Sequence, residues 1–124
     1  MAVINRMTQA VFDNDREALA TIFTDDLTFH VRGPLARPGD HQGVDGFFEA
    51  MGALFELTDG DVKIQQLFCV AGGEWAAEWE RAHFGRNGKN LETNNIFVYQ
   101  FRDDRIADLW MICAAPAEQA SFWD

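Results

Sequence analysis

Polar side chains of a chemically useful kind stand inside the most apolar run of the chain. Arg81, His83, Asn94, Asn95 and Asp108 fall between Glu74 and Cys113, among Trp75, Trp79, Phe84, Ile96, Phe97, Val98, Tyr99, Phe101, Ile106, Trp110 and Ile112. Their types suit proton transfer. A carboxyl removed from water keeps its proton to higher pH unless it is paired, so Asp108 could exchange protons near neutrality. His83 titrates there by its nature. Arg81 would orient the aspartate or stabilise a developing anion. Asn95 and the rings of Trp79, Phe97, Tyr99 and Trp110 would hold a substrate, with His30 lining the mouth. Acid–base chemistry of this kind implies no cofactor. His30, His41 and His83 are too widely spread to suggest a metal. Cys69 and Cys113 lie in apolar patterns without metal-type spacing and read as buried free thiols.

These residues must be positioned by three long strands with tight turns near Asn87-Gly88 and Asp103-Asp104. Asn-Gly between apolar runs is the strongest short-range hairpin signal. A strict two-residue turn at Asp103-Asp104 pairs Phe101 with Ile106, Tyr99 with Asp108, and Phe97 with Trp110. One face then carries an aromatic wall with a single carboxylate. A strict turn at Asn87-Gly88 pairs Glu80 with Asn95 and Glu78 with Phe97. Glu78, Glu80 and Ala82 would share that face, with Arg81 and His83 behind it. One β-bulge between Glu74 and Asn95 would reverse every later side chain of the strand. Burying two unpartnered glutamates costs several kcal/mol per charge, whereas burying Trp79 is favourable. The expectation is therefore the bulge, with Trp79, Arg81 and His83 facing inward.

The rest of the chain supplies helices for the sheet to pack on. Val3, Met7, Ala10 and Val11 recur at helical spacing over residues 3–12. Asn14-Asp15-Arg16-Glu17 has the form of a capping box with Asn14 as the cap, followed by a helix that buries Leu19, Ile22 and Phe23. Leu27 to Val31 is a short strand, and residues 32–42, with Gly33, Pro34, Pro38 and Gly39, form a loop. Gly43 opens a third helix with an apolar stripe of Val44, Phe47, Phe48, Met51, Leu54 and Phe55. Val62 to Val70 is a half-exposed strand, and Ala71-Gly72-Gly73 turns the chain. Pro116 stops the last strand, leaving 117–123 as a short helix or docked tail. The order predicts one α+β domain over 1–124, a curved antiparallel sheet around three N-terminal helices. A sheet that curls around helices too small to fill it leaves a central pocket.

The net charge is −10, from 20 acidic and 10 basic residues. That balance argues against nucleic acid and anionic membranes as partners. No apolar run approaches the roughly 18 residues of a spanning helix, and the first residues lack a signal-peptide pattern. The cytoplasm is the expected compartment. An apolar back face, expected to carry Val98, Leu109 and Met111, points to a homodimer.

Four stretches resemble a known family. They are Asn14-Asp15-Arg16-Glu17-Ala18-Leu19 with Ile22-Phe23-Thr24-Asp25-Asp26-Leu27-Thr28-Phe29; His41-Gln42-Gly43-Val44-Asp45-Gly46-Phe47-Phe48; Asn95-Ile96-Phe97-Val98-Tyr99-Gln100-Phe101-Arg102-Asp103-Asp104-Arg105-Ile106; and Asp108-Leu109-Trp110. In order and spacing they are similar to the nuclear-transport-factor-two-like superfamily, in its SnoaL-like and ketosteroid-isomerase-like branch. The resemblance implies a cone with a deep pocket, often dimeric through the outer sheet face. It also implies a small-molecule enzyme for isomerisation, hydration or cyclisation of an apolar or polyketide-like substrate, or else a non-catalytic binding module. The isomerase's base, tyrosine and second acid align with Val31, Met7 and Phe97, so that set is absent. Of the Asp-Arg-Asp set of epoxide hydrolases only the arginine, Arg81, is matched; His83 and Ile112 stand at the aspartates. Asp108, His83, Asn95 and Trp110 could supply the single acid and the binding groups of a polyketide cyclase.

Overall fold

A computed structural model describes residues 2–123. The elements run α1 (Ala2–Phe12), α2 (Arg16–Ile22), β1 (Phe23–Arg32), β2 (Gly39–Gln42), α3 (Gly43–Leu57), β3 (Val62–Gly72), β4 (Trp75–Arg86), β5 (Lys89–Arg102), β6 (Arg105–Cys113) and α4 (Pro116–Gln119). The sheet order is β2-β1-β6-β5-β4-β3. It is antiparallel except where β1 pairs with β6 in parallel. Among the described residues no helix is long and apolar enough to cross a membrane.

Local chemistry explains most of these boundaries. Asp15, not Asn14, caps α2: its side chain accepts the Ala18 amide at 3.1 Å. Asn14 instead turns the chain in the left-handed region at φ +55°, which asparagine tolerates better than most residues. Gly39–Gln42, expected as loop, pairs antiparallel with β1. Both hairpin turns hold two residues at positive φ, Asn87 and Gly88 in one and Asp103 and Asp104 in the other. That is the twist two-residue hairpins require.

The helices pack on the concave face. Ile4, Met7 and Ala10 of α1, Leu19 and Ile22 of α2, and Phe47 and Ala50 of α3 bury against Phe23, Leu27, Phe29, Val31, Leu109 and Met111. Phe47 is the hub, with ring centroids 4.8 Å from Phe23 and 5.0 Å from Phe29. A second cluster, Leu54, Val62, Ala82, Phe84 and Leu91, is closed by Phe122 and Trp123 of the C-terminal segment.

Two register expectations are corrected. No bulge interrupts β4 and β5: pairing is unbroken from Trp75↔Gln100 to Arg86↔Lys89. A bulge lies instead in the next hairpin, where Phe101 pairs with Ile106 but Gln100 pairs with Asp108, leaving Ala107 as the extra residue. An inserted residue reverses the faces beyond it. Leu109 and Met111 therefore bury in the interior, opposite Tyr99 and Phe97. Asp108 and Trp110 move to the outer face, opposite Gln100 and Val98. The physical reason is plain: the bulge exchanges a carboxylate and an indole N–H for the apolar side chains of Leu109 and Met111 at core positions.

Candidate functional site

The Asn87-Gly88 turn sets the inner face of β4 as Ala76, Glu78, Glu80, Ala82 and Phe84, all buried. Glu78 and Glu80 are only 2% and 4% exposed. The partners that the sequence did not reveal come from the flanking strands. Tyr99 Oη on β5 donates to Glu78 Oε1 at 2.8 Å, and Gln66 Nε2 on β3 donates to Glu78 Oε2 at 2.5 Å. Burial first, and then the charge and hydrogen bonding of Glu78, push the Glu80 carboxyl up to about 9. At neutral pH Glu80 therefore carries a proton, and its side chain is buried without a charge of its own. Burial and the neighbouring Glu78 also raise the Tyr99 phenol well above its ordinary value, so it stays a donor.

Glu80 opens onto a cleft between α1, α3 and the sheet. Its walls include Met7, Met51, Phe55, Val62, Phe84 and Phe97, and its cavity volume is about 60 Å³. Phe12, half exposed, meets Phe55 edge to face at 5.6 Å on the rim. No basic side chain lines the cleft; its other polar wall residue, Thr8, donates to its own helix at Ile4 O. Glu80 is thus a neutral acid facing hydrocarbon, which can donate a hydrogen bond or a proton to whatever enters.

The residues expected to form the site are divided by the sheet. Asn95, Phe97 and Tyr99 are on the inner face with Glu80. Asn95 is fully buried and Phe97 lines the cleft. Asp108, His30 and Trp110 lie together outside. His30 Nε2 is 3.0 Å from Asp108 Oδ1, its Nδ1 is 3.0 Å from Asp40 Oδ1, and its ring stacks on Trp110 at 4.6 Å. Arg32, the main cause, and His30 hold Asp40 below its ordinary value. Trp79, expected inside, stacks on Phe68 on the outer face at 6.0 Å. Arg81 is exposed, and His83 bridges Asp61 at 3.1 Å and Glu92 at 2.7 Å beside a shallow outer groove. The inward placement of Asp108, His83, Arg81, Trp79 and Trp110 is corrected by the register: the unbroken β4–β5 ladder and the bulge at Ala107 send all five outward.

Sequence reasoning weighed Glu78 and Glu80 and set them aside for want of partners. The signal that favoured them was the alternation Ala76-Glu78-Glu80-Ala82 fixed by Asn87-Gly88. The buried Gln119, contributed by the C-terminal segment, had no sequence signal. Cys69 and Cys113 are free, the first half-buried and the second buried. No group of three or more His, Cys, Asp or Glu among the described residues could hold a metal ion.

A family model described as the SnoaL-like domain matches residues 4–109. No curated protein matches the sequence significantly. Among solved structures, Bal32a from a soil-derived mobile gene cassette superposes with a TM-score of 0.90 at 22% identity, covering 99% of this chain and 95% of its own. A protein from Xanthomonas campestris described as having a cystatin-like fold has a TM-score of 0.84 at 21% identity, covering 98% and 95%. A SnoaL-like polyketide cyclase candidate from Jannaschia sp. CCS1 has a TM-score of 0.80 at 10% identity, covering 97% and 90%. At these identities the structural likeness is one of fold.

Proposed function

From the premise that this chain belongs to the SnoaL-like family, we propose that it is a small-molecule enzyme that moves protons on an apolar or polyketide-like substrate. The observation that carries this reading is Glu80, a carboxylic acid kept protonated in an apolar cleft. Glu80 passes its proton to a substrate carbonyl oxygen as the substrate's α-carbon is acidified. The carboxylate so formed takes the α-proton, leaving an enol and restoring the acid. The same exchange run on either side of a C–C bond-forming step gives isomerisation or cyclisation. Glu78 sets the acidity of Glu80, and Tyr99 and Gln66 hold Glu78 in place.

The test uses 2-tetralone, a neutral apolar ketone, and follows deuterium exchange at its α-carbons by NMR. The wild-type protein is expected to accelerate exchange, and Glu80→Gln to lower the rate by about 10²-fold or more, the usual range for loss of a general acid–base group. Asp108→Asn should leave the rate unchanged, because its carboxylate meets His30 on the far side of the sheet. Loss of exchange in Asp108→Asn with Glu80→Gln unaffected would overturn the assignment. Tight ligand binding without exchange would make the protein a binding module of the same fold.

The outer sheet face supports the homodimer. Phe68, Val70 and Trp75 are 53%, 59% and 48% exposed, and Ala77, Trp79, Ile96, Val98 and Trp110 continue the patch, half-buried. Val98 is the one member of the expected patch that stays on this face. An apolar surface this continuous marks an interface. Light scattering at high micromolar concentration is expected to give twice the chain mass. Trp75→Glu with Val98→Glu should weaken the dimer by about 10²-fold or more, since each carboxylate would be desolvated in the seam. A wild-type monomer at that concentration would rule the dimer out.

A further inference from the structure

A ring-bearing substrate needs more room than the Glu80 cleft offers. The cleft holds about 60 Å³, whereas a dry apolar cavity that takes up benzene measures about 150 Å³. A larger space adjoins it. An apolar groove of about 240 Å³ runs between α3 and the end of α1. Val11, Phe12, Met51 and Phe55 line both spaces, so these four side chains are the partition between them. The partition is built of parts that can move. Phe12 is 45% exposed, the other three are half-buried, and the unbranched thioether of methionine adapts readily to a new shape.

The groove is also kept open. Phe48, Gly52 and Phe55 stand about a turn apart on one face of α3. Gly52 is exposed, and a Cβ added there would meet no atom within 4 Å. Glycine inside a helix weakens it relative to alanine, and no close neighbour requires one here. What the bare position does is leave the groove unfilled between two rings. The walls carry no charge, and Asn14 is the polar residue on them. Arg16 lies over the Phe48 ring at 5.2 Å, but it is ion-paired with Asp45. An occupant therefore meets rings and hydrocarbon.

We propose that this groove is a second subsite, which holds the uncharged apolar tail of an extended ketone while the carbonyl head reaches Glu80 past the displaced partition. The inference rests on Glu80 being the proton carrier, and it adds the substrate class: a ketone with an alkyl or aryl extension rather than a compact one. Burial of the tail is favourable in proportion to its apolar area. That binding, remote from the reacting carbon, offsets the cost of moving Phe12 and Met51 aside.

The experiment compares 2-tetralone with 6-butyl-2-tetralone, by calorimetric titration and by α-deuterium exchange, with melting temperature alongside. The wild type is expected to bind the butyl ketone at least about tenfold more tightly, the gain coming from the buried methylenes, with KM for exchange lower by the same factor. Gly52→Leu fills the groove and should cancel that gain, raising the Kd of the butyl ketone by about tenfold. Its melting temperature should hold or rise, because leucine favours the helix. Glu49→Leu, exposed on α3 and on neither wall, should keep the wild-type preference. A wild type with no preference for the tail, or a Gly52→Leu protein that retains it, overturns the subsite. The two readings fail separately. Tail-dependent binding that Gly52→Leu abolishes, with neither ketone exchanging, keeps the subsite and removes the proton transfer. Exchange of both ketones at equal KM keeps the proton transfer and removes the subsite.

Discussion

Glu80→Gln is expected to make the protein more stable above neutral pH while it slows proton transfer by about 10²-fold or more. The sign follows from the direction of the shift. The folded carboxyl titrates at about 9 against an ordinary 4.5, so folding takes up a proton between those values. The stability linked to that proton is full below pH 4.5 and is lost as pH rises toward 9, at about 1.4 kcal/mol per pH unit. Glutamine copies the protonated acid and has nothing to lose. Urea unfolding at pH 5, 6.5 and 8 should show the variant gaining on the wild type by about 4 kcal/mol across the interval. Asp26, held low chiefly by Arg102, and Asp40, held low chiefly by Arg32, act in the opposite sense, but at acid pH below this window. Parallel curves for the two proteins would mean that Glu80 is ionised and partnered, and its role as an acid would go with them.

The second large effect is Phe47→Ala. This ring, 2% exposed, is the contact through which α3 meets β1, edge-on to Phe23 and tilted against Phe29. Removing a buried phenylalanine leaves a cavity and costs about 3–5 kcal/mol, and the aromatic pairs add about 0.5–1.5 kcal/mol each beyond burial. Domains of this size hold only about 5–15 kcal/mol in total. The urea midpoint should fall by a large fraction, or the protein should be partly unfolded without denaturant. Phe48→Ala next to it removes a half-buried ring and should cost clearly less. Equal losses at the two positions would show that α3 is not anchored through Phe47.

The same physics separates what was legible in the sequence from what was not. Helices α1 and α3, the four long strands and both two-residue turns followed from apolar spacing and from Asn87-Gly88 and Asp103-Asp104, which are local signals. Strand β2 escaped because Gly39–Gln42 carries no strand-like side chains and exists only through its pairing with β1. The site was lost to a single residue. Turn dipeptides fix where a hairpin reverses, but they do not reveal an extra residue further along a strand. The bulge expected before Asn95 sits at Ala107 instead. Energetics argued against buried glutamates because their compensation was invisible: a hydroxyl from Tyr99, an amide from Gln66 and one retained proton. All three come from groups that meet only in the folded sheet. An aspartate at an interior position of β6 had no such compensation, and there the chain inserted a residue.

The parallel seam between β1 and β6 also sets a timetable. Strand β6 is made long after β1 yet occupies the middle of the sheet, between β1 and β5, and its Asp108 meets His30 across 78 positions of sequence. At translation speeds of about 5–20 residues per second, β1 waits several seconds for its neighbour, with Leu27, Phe29 and Val31 already made. An unpaired strand edge of that kind invites pairing with other chains. The four residues of β2 follow β1 closely and cover its opposite edge early. For a nascent chain the short strand is half of a guard, and β6, which carries no catalytic group in the cleft, completes it.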